Sequence, residues 1–377
     1  MHENKFINKI PSSILRKRTR NKKPDIRGDY YRDQTAIIHS LPFRRLKRKT
    51  QVFFAPTNDH ICTRIEHVLH VNSVSTTICK GLGLDIELSQ AIAMGHDLGH
   101  PPFGHVGEAV LGDIQKKIGR QFIHELYSYR IVEYIANKGM GLNLCYAVKD
   151  GIISHCGEKF EQFISPDFNV KELDRISNLA INPGTYEGCV VRLADKISYL
   201  GRDIEDAMRI GLVNKKNFNS ELLDRLGVTF DKLKNSINSI IIDRLIKDSI
   251  EFSFSNNTIG VSKEAHEMML VIRDFNYKNI YDSEVLLNYA HFVKKVINVI
   301  YSELFELLGK YKFDSSNYKK HFIKPYRDFA KYIESYKNFY IRENADANTI
   351  IIDYIAGMTD DYALDFCKKV TLPKKIF

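Results

Sequence analysis

Long apolar runs are missing from this chain. No stretch approaches the ~18 uninterrupted apolar residues of a membrane helix, and the opening Met1-His-Glu-Asn-Lys-Phe6 lacks the apolar segment of a signal peptide. Paired cysteines are missing too. Cys62, Cys79, Cys145, Cys156, Cys189 and Cys367 stand apart with no C-x-x-C spacing. That excludes a disulfide framework or zinc knuckle and predicts a reducing, cytoplasmic setting. Alternating strand pairs joined by Asn-Gly turns are absent, as is any internal repeat, so sandwiches, barrels and solenoids drop out. Acidic charge is scarce at one end only. Residues 1–49 carry 15 Lys and Arg against 4 Asp and Glu, whereas the other 328 residues carry 40 against 42. A segment this basic attracts polyphosphate or nucleic acid, single-stranded DNA included, although a solvated arm has the same charge.

What is present reads as a soluble globular chain. Its 377 residues are 44% apolar and 27% charged, enough for one large core or two ordinary ones. From Ile26 onward the pattern is helical almost throughout. Thr63 to Lys80 carries Ile65, Val68, Leu69, Val74 and Ile78 at helical spacing, with Gly81 as the expected C-terminal cap. Asp85 is placed to cap a helix burying Leu88, Ile92 and Ala93. Thr185 to Ile210 forms a third helix closed by Gly211. Amphipathic stretches follow from Phe218 to about Lys312 and from Tyr318 to Tyr340, with a short hairpin expected near Phe252–Val261. The expected fold class is all-α: a basic arm (1–24, loosely ordered), a catalytic core (25–215) and a C-terminal helical region packed on it (216–377).

Chemistry concentrates in Met94-Gly-His-Asp-Leu-Gly-His-Pro-Pro-Phe-Gly-His105. Neighbours on a helix point about 100° apart, so His96 and Asp97 reach one ion only where a helix ends, and Gly95 and Gly99-His-Pro-Pro102 mark such an end. His67 upstream and Asp195 downstream would complete a set of two imidazoles and two carboxylates. Those donors suit Mn²⁺, Fe²⁺, Co²⁺ or Zn²⁺ and take Mg²⁺ less readily. Arg64 shares a helix face with His67 and would aim a guanidinium at metal-bound phosphate. Asp195 shares its helix side with Arg192, Tyr199, Arg202 and Asp206, flanked by Lys196 and Asp203. Just after the metal pair come His100, His105, Glu108 and His124. The i, i+3 spacing of His105 and Glu108 lets the carboxylate orient the imidazole as a general acid–base, and His100 and His124 are placed to bind phosphate or to tune it. A metal with this chemistry beside it points to phosphate-ester hydrolysis.

These residues sit in wider blocks. Tyr31-Arg-Asp-Gln-Thr-Ala-Ile-Ile-His-Ser-Leu-Pro-Phe-Arg-Arg-Leu46, Lys49-Thr-Gln-Val-Phe53, Thr63-Arg-Ile-Glu-His67, Thr185 to Tyr199, Asp203-Ile-Glu-Asp206 and Tyr354-Ile-Ala-Gly-Met-Thr-Asp-Asp-Tyr-Ala363 accompany the His-Asp segment. Together they resemble the HD-domain deoxynucleoside-triphosphate triphosphohydrolases. Residues 219–340 match weakly apart from Ile272-Arg-Asp-Phe275 and Ile280-Tyr281. The resemblance implies metal ligation by His67, His96, Asp97 and Asp195, and catalysis by His105 with Glu108, with His124 as a further active-site histidine. It implies phosphate contacts from Arg64 and Lys196, and a deoxyribose pocket from Gln51, Tyr199 and Asp203. It also implies cleavage of a dNTP between the 5′ oxygen and the α-phosphorus, and a homo-tetramer or hexamer. Two rival readings are another HD phosphohydrolase, whether nucleotidase or phosphodiesterase, and a single-stranded nucleic-acid binder with a vestigial site. The Gly-Tyr-Pro motif of cyclic-dinucleotide phosphodiesterases is absent.

Overall fold

A computed structural model of the chain describes residues 5–54, 58–156, 160–233, 236–321 and 323–372. Among them the architecture is helical, with helices α1 (Asp29–Ile38), α2 (Arg64–Leu82), α3 (Ile86–Gly95), α4 (Gly104–Lys116), α5 (Tyr146–Ile153), α6 (Tyr186–Arg209), α7 (Ile237–Asn256), α8 (Lys263–Asn276), α9 (Glu284–Tyr311), α10 (Lys324–Glu343), α11 (Ala347–Ala356) and α12 (Asp360–Thr371), besides shorter turns of helix. The all-α expectation holds. α6 runs through the centre and is buried along most of its length. It packs on α2, α3 and α5 on one side and on α7 and α8 on the other.

Local chemistry explains the ends that matter. Glu66 accepts the Thr63 backbone N–H at 2.7 Å, closing a capping box at the start of α2. Asp85 accepts from the Leu88 N–H and opens α3, and Thr185 accepts from Gly188 and opens α6. The cap expected at Gly81 falls instead at Gly83, which takes φ +71°. Gly81 stays inside the helix because α7 crosses there, and a Cβ would lie 2.7 Å from Ile250 Cδ1.

Two further expectations change. The hairpin near Phe252–Val261 does not form: α7 extends to Asn256, and Ile259–Gly260 pairs antiparallel with Phe163–Ile164. A strand partner almost a hundred residues away leaves no local signal. The basic stretch expected to be loose is packed, so far as residues 5–24 are concerned. Phe6, Ile10 and Leu15 are buried, and the Phe6 ring lies 5.1 Å from that of Tyr186. Arg18 pairs with buried Asp33 and donates to the Asn143 carbonyl at 2.7 Å. Residues 1–4 lie outside the described residues. Arg18 and Lys22 turn inward to Asp33, Lys5, Lys9, Arg16, Lys17, Arg20 and Lys23 stay exposed, and three apolar side chains hold the segment down.

Candidate metal and phosphate site

α3 ends at Gly95, and the chain turns with His96 and Asp97 at its C-terminus. The turn is tight against the short helix His124–Arg130. A Cβ on Gly99 would stand 2.2 Å from the His124 carbonyl oxygen and 2.3 Å from the Ser128 nitrogen, both backbone atoms. Gly99→Ala is therefore expected to cost about 1–3 kcal/mol or more, as overpacking does. A thermal melt that stays within a degree of the unaltered protein would contradict this.

Four side chains from three helices converge here. His67 Nε2 lies 2.9 Å from Asp195 Oδ1 and 3.8 Å from Asp97 Oδ2; His96 Nε2 lies 3.4 Å from Asp97 Oδ1 and 3.9 Å from Asp195 Oδ1. Ligands around an ion with bonds of about 2.1 Å sit roughly 3.0–3.4 Å apart, so the spacing suits a divalent metal. One atom tests the fit. His96 donates its Nδ1–H to the Ala93 carbonyl at 2.7 Å, leaving a lone pair on Nε2, which is buried without a hydrogen-bond partner. A ligating histidine is anchored in this way. Burial works against ionising Asp97, yet His96, His100 and Arg64 together hold its carboxyl well below the usual range. Asp195 is likewise held down, against burial, by His67 and His96. The pair is anionic and ready for a cation.

Beside it lies a second cluster. Glu108, on α4, takes His105 Nδ1 at 3.3 Å and His124 Nδ1 at 3.0 Å, and His100 Nε2 lies 3.2 Å from Asp97 Oδ1. The His100 and His124 rings stack at 3.9 Å. His105 is the exposed member, with its side chain 59% accessible. Burial disfavours a charge on His124, but Glu108 and Glu125 outweigh it and push the imidazole up to about 10. This group is a fixed cation facing the cavity at neutral pH.

Both clusters open on one cavity of about 710 Å³, within the range of ligand pockets. Gln51, Arg64, His67, Asp97, His100, His105, His124, Asp195, Tyr199 and Asp203 all line it. Lys196 does not. It is fully buried and its Nζ lies 3.3 Å from Glu161. Arg64 is also committed, with Nη1 2.8 Å from Asp97 Oδ2 and Nη2 donating to the Gln51 carbonyl at 3.3 Å. Its present contact is to a carboxylate of the candidate metal cluster.

Sequence reading missed His155. It is buried, donates Nδ1–H to the Ile152 carbonyl at 2.6 Å, and sets Nε2 3.3 Å from that of His124. Burial and the neighbouring His96 and His124 press its ring down to about 3, so it stays neutral and accepts from the His124 imidazolium. It also missed Phe160, Tyr277, Leu286 and Leu287, which form the far wall. Tyr281 donates to Asp203 Oδ2 at 2.5 Å and so fixes that carboxylate.

Residues 64–200 match the HD domain, and residues 259–369 match the phosphohydrolase-associated domain. A deoxyguanosinetriphosphate triphosphohydrolase-like protein of Caldanaerobacter subterraneus is 35% identical over 94% of this chain and 88% of its own length. The chain belongs to the deoxyguanosinetriphosphate triphosphohydrolase-like family. Members from Clostridium perfringens and Desulfatibacillum aliphaticivorans are each 34% identical, over 95% and 96% of this chain and 91% and 93% of theirs. The family assignment makes the protein a hydrolase, and its His/Asp cluster is one that could hold a divalent ion. No helix among the described residues is long and apolar enough to cross a membrane.

Proposed function

We propose that this protein hydrolyses deoxynucleoside triphosphates, dGTP or several dNTPs, to deoxynucleoside and inorganic triphosphate. The observation that carries this reading is the opening of a His/Asp metal cluster and a Glu108-centred histidine cluster onto one nucleotide-sized cavity. The relatives named for triphosphohydrolase activity on deoxyguanosine triphosphate support the same reaction.

His67, His96, Asp97 and Asp195 are the proposed ligands, with Mn²⁺ the proposed ion and Fe²⁺, Co²⁺, Zn²⁺ or Mg²⁺ as alternatives. When bound, the ion supplies Lewis acidity at a phosphoryl oxygen. His105, held by Glu108, is the proposed general acid–base. His124, kept charged by Glu108 and Glu125, balances phosphate charge, and His100 bridges the two clusters. Arg64, now bonded to Asp97 and the Gln51 carbonyl, would offer a guanidinium arm to a phosphate in the cavity. Lys196 would have to leave Glu161 to touch phosphate, so its proposed part is indirect. Tyr199 beneath the sugar would reject a 2′-OH, while Gln51 and Asp203 read the 3′-OH.

The test is direct. Each dNTP, incubated with the Mn²⁺-loaded protein, should yield triphosphate, and GTP should react at least 100-fold more slowly than dGTP. Monophosphate release, or equal rates on GTP and dGTP, would favour a nucleotidase or a less selective HD hydrolase. Assembly as a homo-tetramer or hexamer and residence in the cytoplasm belong to the same proposal. A second reading has its own observation: Arg16, Lys17, Arg20, Lys23, Arg27, Arg44, Lys47 and Arg48 are exposed within one basic stretch. Single-stranded DNA would bind there with steep salt dependence. Affinity unchanged between low and moderate salt would remove that partner.

A further inference from the structure

A side chain of the last helix bonds to two segments that line the cavity. Asp360, the first residue of α12, is buried, and each carboxylate oxygen accepts one backbone N–H. Oδ2 takes Thr50 N–H at 2.8 Å and Oδ1 takes Phe103 N–H at 2.8 Å. Thr50 directly precedes Gln51. Phe103 lies two residues before His105. Burial pushes the Asp360 carboxyl above its usual range, while the Thr50 and Phe103 amides, Lys49 and the helix N-terminus behind it favour its charge.

The Phe103 strap sits where the backbone most needs one. Phe103 takes φ +68° and ψ +22°, and Gly104 follows at φ +57°. A bulky residue rarely adopts the left-handed region, and such a conformation persists only where its surroundings over-determine it. Here it turns the chain into α4, so that His105 faces the cavity with Glu108 behind it. Lys49 adds a second strap between the same parts, its Nζ donating to the His100 carbonyl at 2.5 Å and the Ala356 carbonyl at 2.9 Å. On the other side, Arg64 joins the Gln51 carbonyl to Asp97. The chain of bonds thus runs from α12 to both proposed halves of the reaction.

We propose that Asp360 is a positioning residue that sets the place of His105 by clamping the left-handed Phe103–Gly104 turn to the Thr50–Gln51 segment. This rests on the triphosphohydrolase reading for its kinetic consequence. Asp360→Asn keeps the shape but turns an NH₂ toward one of the two N–H donors, so it breaks one strap without opening a cavity.

In the full-length, Mn²⁺-loaded protein, Asp360→Asn should lower kcat for dGTP at least tenfold, with KM within about threefold and metal content unchanged. The decisive measurement is the double mutant with His105→Ala. If Asp360 acts through His105, the double mutant should be no slower than His105→Ala alone, because a position already emptied cannot be misplaced. Multiplying losses would mean a general structural role and overturn the proposal, as would an unchanged kcat. Hydrogen exchange gives an arm that needs no turnover. The Phe103 or Thr50 amide should exchange at least tenfold faster in Asp360→Asn, while amides in the middle of α6 keep their rates. Unchanged protection at both positions would equally sink the clamp. If the unaltered protein releases no triphosphate, the functional reading falls and the exchange arm still decides the clamp. Should Asp360→Asn not fold, Asp360→Ser, which keeps one short acceptor, is put through the same measurements.

Discussion

Replacing Asp97 with alanine is expected to remove the divalent ion and turnover together, with residual activity at the assay floor. Asp97 faces His67, His96 and His100 and accepts from Arg64 Nη1, so no nearby group can take over its role. His96→Ala should do the same, because it deletes a buried ring nitrogen, Nε2, that has no hydrogen-bond partner and faces both carboxylates. Metal analysis of the purified variants alongside dNTP turnover gives the check. Either variant keeping both metal and full rate would refute the ligand assignment. Asp97→Ala also strands the Arg64 guanidinium, a buried charge left without its carboxylate, which is strongly destabilising. His96→Ala is the cleaner of the two, since the imidazole leaves no charge behind.

The second large effect is expected at His105. Its alanine variant should lose about 10²–10⁴-fold in kcat, the usual contribution of a general acid–base, while holding metal at the level of the unaltered protein. His105 makes its contact to Glu108 rather than to the Asp97–Asp195 group. Glu108→Gln should be milder at His105 but felt twice, because Glu108 also holds His124. Removing that carboxylate would lower the His124 pKa from about 10. With the folded pKa raised, the His124 charge is present at neutral pH and is lost only as pH climbs through the raised value; in Glu108→Gln that loss moves down toward neutrality. The alkaline limb of the rate profile should therefore shift to lower pH. A metal-free His105→Ala protein would show that a ligand had been taken for a catalyst, and an unmoved alkaline limb in Glu108→Gln would contradict the account of His124.

Helix starts near the site were legible because their chemistry is local. Thr63 with Glu66, Asp85 with Leu88 and Thr185 with Gly188 each announce an end within four residues. The pairing of His96 with Asp97 at a helix terminus was readable for the same reason, since the glycines and prolines that stop α3 stand next to it. Gly81 and Gly83 show the limit. Either could have been the cap, and only the crossing of α7 against Gly81 decides between them. His155 gave no signal at all. A lone histidine after a buried helix has no periodic partner, and its role comes from His124, 31 positions earlier. Lys196, whose phosphate contact the family resemblance implies, lies where α6 is buried around its circumference, and Glu161 receives the amine. The far wall of the cavity was foreshadowed in the Ile272–Phe275 and Ile280–Tyr281 blocks, whose Arg273, Asp274 and Tyr281 line it. No spacing rule could have brought them there.

The His67–Asp195 contact has a consequence for folding. Its ion would be coordinated from α2, from the end of α3 and from the middle of α6, segments separated by up to 128 positions in the chain. A cation that binds only when all three are assembled is a tertiary cross-link, and its affinity adds to the folding free energy by mass action. At a hundredfold excess over its dissociation constant that amounts to about 2.7 kcal/mol. The melting temperature should then climb with free Mn²⁺ concentration and drop on chelation. In a cell short of the metal, the same linkage would expose the protein to proteolysis as well as silence it, so that metal supply would set how much of it survives.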